Sequence, residues 1–195
     1  WYSNSACTTQ ITTITLPTTL EVIGDWAFQD CHGLTELKIP DSVKEIGIGA
    51  FKGCKNLKTI NYPKSLEDAA NSMFSGCEKL TSITVPEGIK EIPASMFWGA
   101  KYLTEINIPV SLEIIDDWAF RDCTGLTEIK LPISLKEVHL GAFQGCTNLK
   151  TVTYQGFAEQ WKNIDVSSSN EPLTSATIVC LDHTHNYTET VLKQP

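Results

Sequence analysis

Long apolar runs, an excess of basic residues and the common catalytic motifs are all missing from this 195-residue chain. No stretch approaches the roughly 20 apolar residues that a membrane-spanning helix requires, so we expect no span in this sequence. Its 15 basic residues face 23 acidic ones, and the formal net charge of -8 argues against a nucleic-acid partner, because phosphate backbones select basic surfaces. The chain opens on Trp1 without a charged leader, so we expect no targeting peptide within it.

Signatures of enzymes are equally scarce. The sequence has no G-x-S-x-G, no H-E-x-x-H and no glycine-rich phosphate loop, and it has only four histidines. Asp116 and Asp117 could serve as the paired carboxylates of a glycosidase, but solvated loop charges are the simpler interpretation. Cys180, His183 and His185 have the spacing of metal ligands, yet a structural zinc needs a fourth ligand that nothing nearby supplies. We therefore expect no enzyme activity, no metal and no cofactor.

A repeat of 23 residues dominates what the sequence does contain. Phenylalanine, proline and leucine each recur at this interval, and six of the seven phenylalanines lie on the ladder. A fixed period of this length is the signature of a solenoid, in which each unit buries its apolar side against its neighbours. The ladders are Phe28, Phe51, Phe74, Phe97, Phe120 and Phe143; Pro17, Pro40, Pro63, Pro86, Pro109 and Pro132; and Leu34, Leu57, Leu80, Leu103, Leu126 and Leu149.

Each unit predicts one short strand followed by a tight turn. In the first full unit, residues 37–39 alternate apolar, polar and apolar, and Pro40 ends the strand because proline cannot donate to a ladder. Residues 50–54 have the spacing of one turn of 3₁₀ or α helix. The residue before each ladder cysteine position is Gly or Asp, which tolerate positive φ, so we expect a left-handed turn there. These residues are Asp30, Gly53, Gly76, Gly99, Asp122 and Gly145.

Written as A-F-x-x-C-x-x-L-x-x-I-x-I-P-x-x-L-x-x-I, the unit resembles the BspA-like leucine-rich repeats of bacterial cell-surface proteins. The match runs from residue 11 to about 154, and the 23-residue length, the Ala-Phe pair and the following Cys are specific to that subfamily. Ala69, Met73, Met96 and Ala100 depart from the pattern as volume-tolerant core changes. The resemblance implies an extracellular or surface-attached bacterial protein, a role in adhesion or host interaction, and no catalytic residue.

The fold we predict is an α/β repeat, a right-handed leucine-rich-repeat solenoid with one short parallel strand per coil and an atypical cap at each end. Residues 1–154 form the solenoid of about six to seven coils, residues 155–182 form a C-terminal cap, and residues 183–195 form a polar tail. Within the cap, residues 176–181 are predicted to form a last strand that covers the open edge of the sheet.

Seven cysteines cannot all pair within one chain. Five of them lie on the ladder, where Ala100 replaces cysteine once; a small buried filler tolerates that change and a disulfide partner does not. We expect a column of buried thiols, with disulfides between neighbouring coils as the alternative. Cys7 and Cys180 lie outside the ladder. The ladder cysteines are Cys31, Cys54, Cys77, Cys123 and Cys146.

The polar side of the strands is the first candidate binding surface. The apolar columns are constrained by the stack, so this side is free to be specialised. It predicts a ligand face for a protein or a glycan, and a merely solvated sheet is the alternative. Its two columns are Glu36, Thr59, Ser82, Glu105, Glu128 and Thr151, and Lys38, Asn61, Thr84, Asn107, Lys130 and Thr153.

An exposed apolar patch on the fourth and fifth coils is the second candidate. Trp98 and Tyr102 stand where other units carry polar or small residues. Val110 and Ile133 follow the strand proline, where the three preceding units carry charges. Aromatic residues outside core columns are enriched at binding hot spots. Packing along the outer face of the coil is the alternative, here and for the two tryptophans of the Asp-Trp-Ala-Phe motifs.

These features predict a non-enzymatic, extracytoplasmic binding module of a bacterial surface protein, whose partner is a protein or a glycan at a cell surface. A structural spacer that presents another domain is the alternative, and a glycan-processing enzyme is the third hypothesis. A spacer is expected to repeat the same surface residues in every coil, and the apolar patch breaks that uniformity. Ligand identity and oligomeric state do not follow from the sequence.

Overall fold

Stacked coils of 23 residues build the structure, a computed structural model that describes residues 12–66 and 69–181 and the backbone of residues 189–192. We number the coils one to six by their ladder phenylalanines, from Phe28 to Phe143. Parallel strands from successive coils pair side by side. The predicted leucine-rich-repeat solenoid is therefore confirmed.

The first row of strands contains the strand predicted in each coil. Exposed and buried residues alternate along these strands, because successive side chains point to opposite faces of a sheet. Hydrogen bonds join them in three groups, β2 with β4, β5 with β7, and β9 with β11 and β13. The strands are β2 (Glu36–Leu37), β4 (Thr59–Ile60), β5 (Ser82–Thr84), β7 (Glu105–Asn107), β9 (Glu128–Leu131), β11 (Thr151–Phe157) and β13 (Thr177–Leu181).

A second row of strands runs along another side of the stack, where the sequence predicts none. Each of these strands is two residues long, and in most of them one residue is buried and the other exposed, so no alternating pattern marks them in the sequence. Residues at equal repeat positions pair in register. The strands are β1 (Val22–Ile23), β3 (Glu45–Ile46), β6 (Glu91–Ile92), β8 (Ile114–Ile115), β10 (Glu137–Val138) and β12 (Asp165–Val166).

Turns form the third side of each coil, in place of the predicted helical turn. Two residues before and two residues after each ladder phenylalanine, φ is positive in all six coils, between 56° and 77°. These left-handed residues interrupt helical bonding, and bonds such as that from the Cys54 N–H to the Phe51 carbonyl (3.2 Å) close separate turns. The left-handed residue predicted before each ladder cysteine position is thus confirmed.

A stack of phenylalanines fills the core beside these turns. Their ring centroids lie 5.2 to 5.8 Å apart from coil to coil, and the planes are within 21° of parallel. From Phe51 to Phe143 the side chains are fully buried. The four inner phenylalanines therefore contact both neighbouring coils, which is why the 23-residue period never slips.

The array also contains a longer repeat of four coils. Residues 28–50 share 14 of 23 residues with residues 120–142 but only 5 of 23 with the adjacent residues 51–73. Over the wider ranges 11–63 and 103–155, 31 of 53 positions are identical. The two copies therefore place matched surfaces on one scaffold, and a residue in one copy shows what the other tolerates.

Two short helices and three strands, β12 to β14, follow the last full coil. The helices are α1 (Ala158–Trp161) and α2 (Glu171–Thr174), and at four residues each, neither could cross a bilayer; the described residues contain no other helix. The strand predicted over residues 176–181 is present as β13. Part of the segment predicted as a polar tail, β14 (Glu189–Leu192), pairs antiparallel with β13 and so occupies the edge that β13 leaves open.

Asn170 connects this cap to the array. In coils one to five, the N–H of the ladder phenylalanine donates to a carbonyl of the next coil, as from Phe120 to Ala142 (2.8 Å). Phe143 has no such coil after it, and its N–H donates instead to Oδ1 of Asn170 (2.9 Å). The buried Asn170 amide therefore takes the place of the missing coil's backbone.

Candidate functional site

The twelve predicted strand-face residues all lie on the surface side of the first row of strands. Nine of them are exposed, and Asn61, Thr151 and Thr153 are half-buried. Ser82 pairs in register with Glu105 and Thr84 with Asn107, so each predicted column continues from coil three to coil four.

A groove of about 1010 Å³ lies across the strand face of coils one to four. Uncharged polar side chains occupy its middle, charged side chains stand at its edges, and apolar residues such as Tyr62, Val85 and Pro86 line it as well. The Asn107 amide lies 3.2 Å from Thr84 Oγ1, so part of the floor is already hydrogen-bonded. The uncharged side chains are Thr59, Asn61, Ser82, Thr84 and Asn107, and the charged ones are Lys38, Lys64, Glu87 and Glu105.

Asn61 has a structural role within this face. Its Nδ2 donates to the Ile39 carbonyl at 2.8 Å, and its Oδ1 accepts from the Ile39 N–H at 2.7 Å. This pair of hydrogen bonds extends the pairing of β2 and β4 through a side chain. Both polar atoms of Asn61 are therefore engaged, and the groups that remain to contact a ligand are those of Thr59, Ser82, Thr84 and Asn107.

The predicted apolar patch is divided between two sides of the strand face. Tyr102, 61% exposed, lies in the turn before β7, whereas Val110, 65% exposed, lies in the turn after it. Ile133 occupies the position of Val110 one coil later. Lys64 and Glu87 hold that same position in coils two and three and line the groove, so Val110 and Ile133 continue one of its edges.

Trp98 belongs to the packing between coils rather than to this edge. Its Nε1 donates to Asp122 Oδ2 of the next coil at 3.1 Å, and the Arg121 guanidinium lies 4.9 Å from the indole centroid. A cation over the face of an indole is attracted by the ring's quadrupole. The exposed part of Trp98 is thus the outer side of a fixed contact between coils four and five.

The tryptophans of the two Asp-Trp-Ala-Phe motifs also pack along the stack. Trp26 and Trp118 have positive φ (57° and 56°), and each ring covers the glycine at the same position of the next coil. A Cβ on Gly49 would lie 2.1 Å from the Trp26 ring, and one on Gly141 would lie 3.0 Å from the Trp118 ring. The packing interpretation of these two tryptophans is therefore the one that the contacts support.

Serine side chains join the corners of the coils, a role that the sequence analysis misses. Ser65 Oγ donates to carbonyls of the preceding coil, 2.6 Å from that of Val43, and Ser111 Oγ does the same to Ile89 at 2.8 Å. The position follows each strand proline by two residues, and serine occupies it in coils one, two, four and five. This regular spacing is the signal that could have identified it.

A charged cluster at the second row of strands includes the two carboxylates singled out in the sequence. Asp116, Asp117 and His139 have side-chain atoms within 4.8 Å of one another, the one such group of possible metal ligands among the described residues. The imidazole of His139 is hydrogen-bonded to Asp116, and Asp117 accepts from the Leu140 N–H at 2.9 Å. We interpret the cluster as an ion-pair network. His183 and His185 lie outside the described residues.

The sequence matches the profile of the BspA type leucine rich repeat region, in six copies over residues 2–125 and 90–168. The chain belongs to this family. A search of curated proteins gave no match.

Crystal structures of several bacterial leucine-rich repeat proteins are similar to this BspA-type chain. A protein of Bacteroides ovatus matches with a TM-score of 0.69 and 27% identity over 85% of this chain, which spans 48% of that protein. A T. pallidum leucine-rich repeat protein matches with a TM-score of 0.68 and 30% identity, and the match covers 73% of this chain and 72% of that protein. A leucine-rich cell surface protein of Faecalibacterium prausnitzii matches with a TM-score of 0.59 and 26% identity, and the match covers 74% of this chain and 48% of that protein.

The ladder cysteines of this BspA-type array are buried, and no described cysteine forms a disulfide. The Cys77 thiol donates to the carbonyl of Phe51 in the preceding coil at 3.2 Å, and Cys123 and Cys146 make the equivalent contact. Burial raises the pKa of the Cys77 and Cys123 thiols well above the ordinary value, and that of Cys146 to about 12. The buried thiol column is therefore confirmed.

Thiol-reactive reagents should consequently leave the five ladder cysteines unlabelled in the native protein and label all of them after unfolding, because only an exposed thiolate reacts quickly. Mass spectrometry of peptides from native and urea-unfolded protein measures this directly. Fast labelling of several ladder cysteines in the native state would contradict the buried column. Labelling of Cys77 alone would point to local opening between coils two and three.

Proposed function

We propose that this chain is a non-enzymatic binding module of a bacterial surface protein, and that it recognises a host protein or glycan through the groove on its strand face. The observation that carries the proposal is the composition of the groove. Threonine, serine and asparagine side chains occupy its middle, where they offer both donors and acceptors without the desolvation cost of a charge. Lys38 of coil one stands at one edge of the groove, and the pair Glu128 and Lys130 of coil five lies outside it.

A position outside the cell is supported by the family and by one relative, which is a cell surface protein. The F. prausnitzii structure is that of a leucine-rich cell surface protein. Because this chain spans about half of that protein and of the B. ovatus protein, the role of the whole molecule is part of the proposal. Adhesion is the surface activity that a non-enzymatic binding face can supply.

The edges of the groove favour a protein partner. Val110 and Ile133 present aliphatic side chains on adjacent coils along one edge, and Tyr102 presents a phenol on the other side of β7. An apolar cluster beside a polar face resembles the arrangement of protein interfaces, where aromatic and aliphatic anchors are surrounded by polar residues. A glycan would use the hydroxyl and amide groups of the floor and leave Val110 and Ile133 uncovered.

Glycan microarrays and microarrays of extracellular host proteins, probed with the purified and fluorescently labelled chain, test the proposal. We expect a selective binder whose signal is lost in the double variant Ser82→Arg, Thr84→Arg, because two guanidinium groups would fill the middle of the groove. Glu45→Arg, on β3 of the second row of strands, is the control and should bind normally. Binding that survives in the groove variant, or is lost equally in the control, would place the site elsewhere.

Val110 and Ile133 can be tested without disturbing the stack, because the first copy of the four-coil repeat carries Thr18 and Asp41 at the same positions. The variant Val110→Thr, Ile133→Asp should change the free energy of unfolding by about 0.5 kcal/mol or less, as is usual for exposed sites. If a protein partner covers this edge, the affinity for the protein identified on the microarray should fall at least about tenfold. A tenfold loss corresponds to about 1.4 kcal/mol of binding free energy.

The spacer hypothesis gives the opposite pattern in these experiments. A spacer would give no selective signal on either microarray, and the edge variant Val110→Thr, Ile133→Asp would then have no binding to reduce. A glycan bound by the floor alone would survive the edge variant and be lost in the groove variant. The three outcomes therefore separate a protein-binding module, a glycan-binding module and a stalk.

A further inference from the structure

One pair of packed positions on the second side of the stack changes from two glycines to two titratable residues between the copies of the four-coil repeat. The first copy has Gly24 and Gly47 there, in successive turns, whereas the second has Asp116 and His139. The residues that follow the aspartate in the second copy, Asp-Trp-Ala-Phe, are the same in both copies. The scaffold therefore folds without either side chain, and the Asp116–His139 pair is an addition that stability of the repeat does not require.

His139 lies between two carboxylates that belong to different coils. Its Nδ1 is 2.8 Å from Asp116 Oδ1 in coil four, and its Nε2 is 3.0 Å from Glu137 Oε2 in coil five. A neutral imidazole has one N–H and can donate to only one of them, whereas an imidazolium donates to both. Hydrogen bonds that the imidazole donates to Glu137 and to Asp116 accordingly raise the pKa of His139.

The charges on the packed elements favour the protonated form as well. Asp117 has a carboxylate oxygen within 4.8 Å of the His139 imidazole, and Asp165 of β12 pairs in register with Glu137, so further acidic residues lie on the elements packed against this pair. The lysines of this side are engaged with another carboxylate. Lys136 and Lys90 both pair with Glu113, and they lower the pKa of that group.

His139 is also where the array meets the C-terminal cap. Its carbonyl accepts a hydrogen bond from Nδ2 of Asn170 at 2.8 Å, and Asn170 in turn accepts the N–H of Phe143. Gly141, two residues after His139, donates its N–H to the Ser168 carbonyl at 3.0 Å. We propose that His139 is a pH-sensitive clamp between coils four and five, closed while the imidazole is protonated, whose release loosens the attachment of the cap.

The direction of the effect follows from the raised pKa. Below the pKa of histidine in the unfolded chain, His139 is protonated in both states and the clamp contributes its full stabilisation. As the pH rises through the higher pKa of the folded state, the imidazolium loses its proton and the stabilisation disappears. Each unit between the two pKa values corresponds to about a tenfold change in the folding equilibrium.

Two measurements on the same protein test the clamp between about pH 5 and pH 9, the range that brackets the ordinary histidine pKa. Proton NMR should show one imidazole titrating above the ordinary histidine value, with its signal absent in His139→Gln and its pKa lowered in Asp116→Asn. Hydrogen exchange, corrected for intrinsic rates, should show Gly141 and Phe143 losing protection several-fold as the pH rises in the wild type. In His139→Gln the protection should not change with pH.

The control is His32→Gln. His32 lies in coil one, and its side chain contacts no carboxylate among the described residues, so this variant should show the wild-type dependence of protection on pH. An imidazole that titrates at or below its ordinary value overturns the clamp. A raised pKa with pH-independent protection at Gly141 and Phe143 also overturns it, because His139 would then form an ion pair that does not act on the cap. Equal pH profiles for the wild type and His139→Gln have the same consequence.

Discussion

Replacing Phe97 by Ala should lower the free energy of unfolding by about 3–5 kcal/mol, the cost of truncating a large core residue and leaving a cavity. Phe97 is fully buried, and its ring stacks on Phe74 at 5.8 Å and on Phe120 at 5.4 Å. The change therefore weakens two interfaces between coils at once. In a solenoid, stability is approximately a sum of coil and nearest-neighbour contributions, so the loss falls on the middle of the array.

Urea titration followed by circular dichroism measures this loss. The breadth of the unfolding transition gives a second result. With the contacts of coil four to coils three and five weakened, the array should unfold in a broader transition than the wild type, because the two halves are less coupled. Phe157→Ala is the control. Phe157 is half-buried at the end of β11, and about 1–2 kcal/mol is expected. Equal losses for the two variants would show that the cap and the array share one core.

The sequence predicts the core of this fold well because the core is periodic. A phenylalanine that must stack on its copy in the next coil cannot move out of register, so the ladder marks the burial directly. The thiols follow the same logic, since a column that accepts Ala100 must be a small buried space. Asp30 and Asp122 at positive φ are predicted because glycine holds that position in the other four coils.

The second row of strands is not predicted because its elements are too short to show a period. In β3 and β10 a single buried residue faces the core, and two residues cannot reveal whether the spacing is that of a strand or a turn. Trp26 and Trp118 are misleading for a different reason. Positive φ is rare for a bulky residue, so nothing local in the sequence indicates that these rings would lie against the glycines of the next coil.

The strand-face residues are placed correctly in the sequence analysis, but their individual roles depend on contacts that are one coil apart. Asn61 and Asn107 hold the same repeat position, yet Asn61 binds both backbone atoms of Ile39, whereas Asn107 contacts the Thr84 hydroxyl. The division of the apolar patch likewise requires the path of the coil. Tyr102 and Val110 are eight residues apart, and a strand separates them.

Asn170→Ala should have the second large effect on stability, about 2–4 kcal/mol, because it leaves the buried N–H of Phe143 and two part-buried carbonyls without this partner, and an unpaired buried group costs about 1–3 kcal/mol. The Asn170 side chain accepts the N–H of Phe143 at 2.9 Å and donates to the carbonyls of His139 at 2.8 Å and Ser167 at 2.9 Å. Asn170 begins α2 without capping it through its side chain, so the loss arises at the end of the array and not in the helix.

Asn148→Ala provides the matched comparison for this last change, since Asn148 is exposed and makes one hydrogen bond, to the Thr124 carbonyl at 2.7 Å. About 1 kcal/mol or less is expected there, the usual net value of one hydrogen bond. Urea titration gives both free energies, and hydrogen exchange at Phe143 reports whether the loss is local. If Asn170→Ala lowers the free energy of unfolding no more than Asn148→Ala does, water or another group must bond to the Phe143 N–H. The Asn170 side chain would then not be needed to replace the backbone of the missing coil.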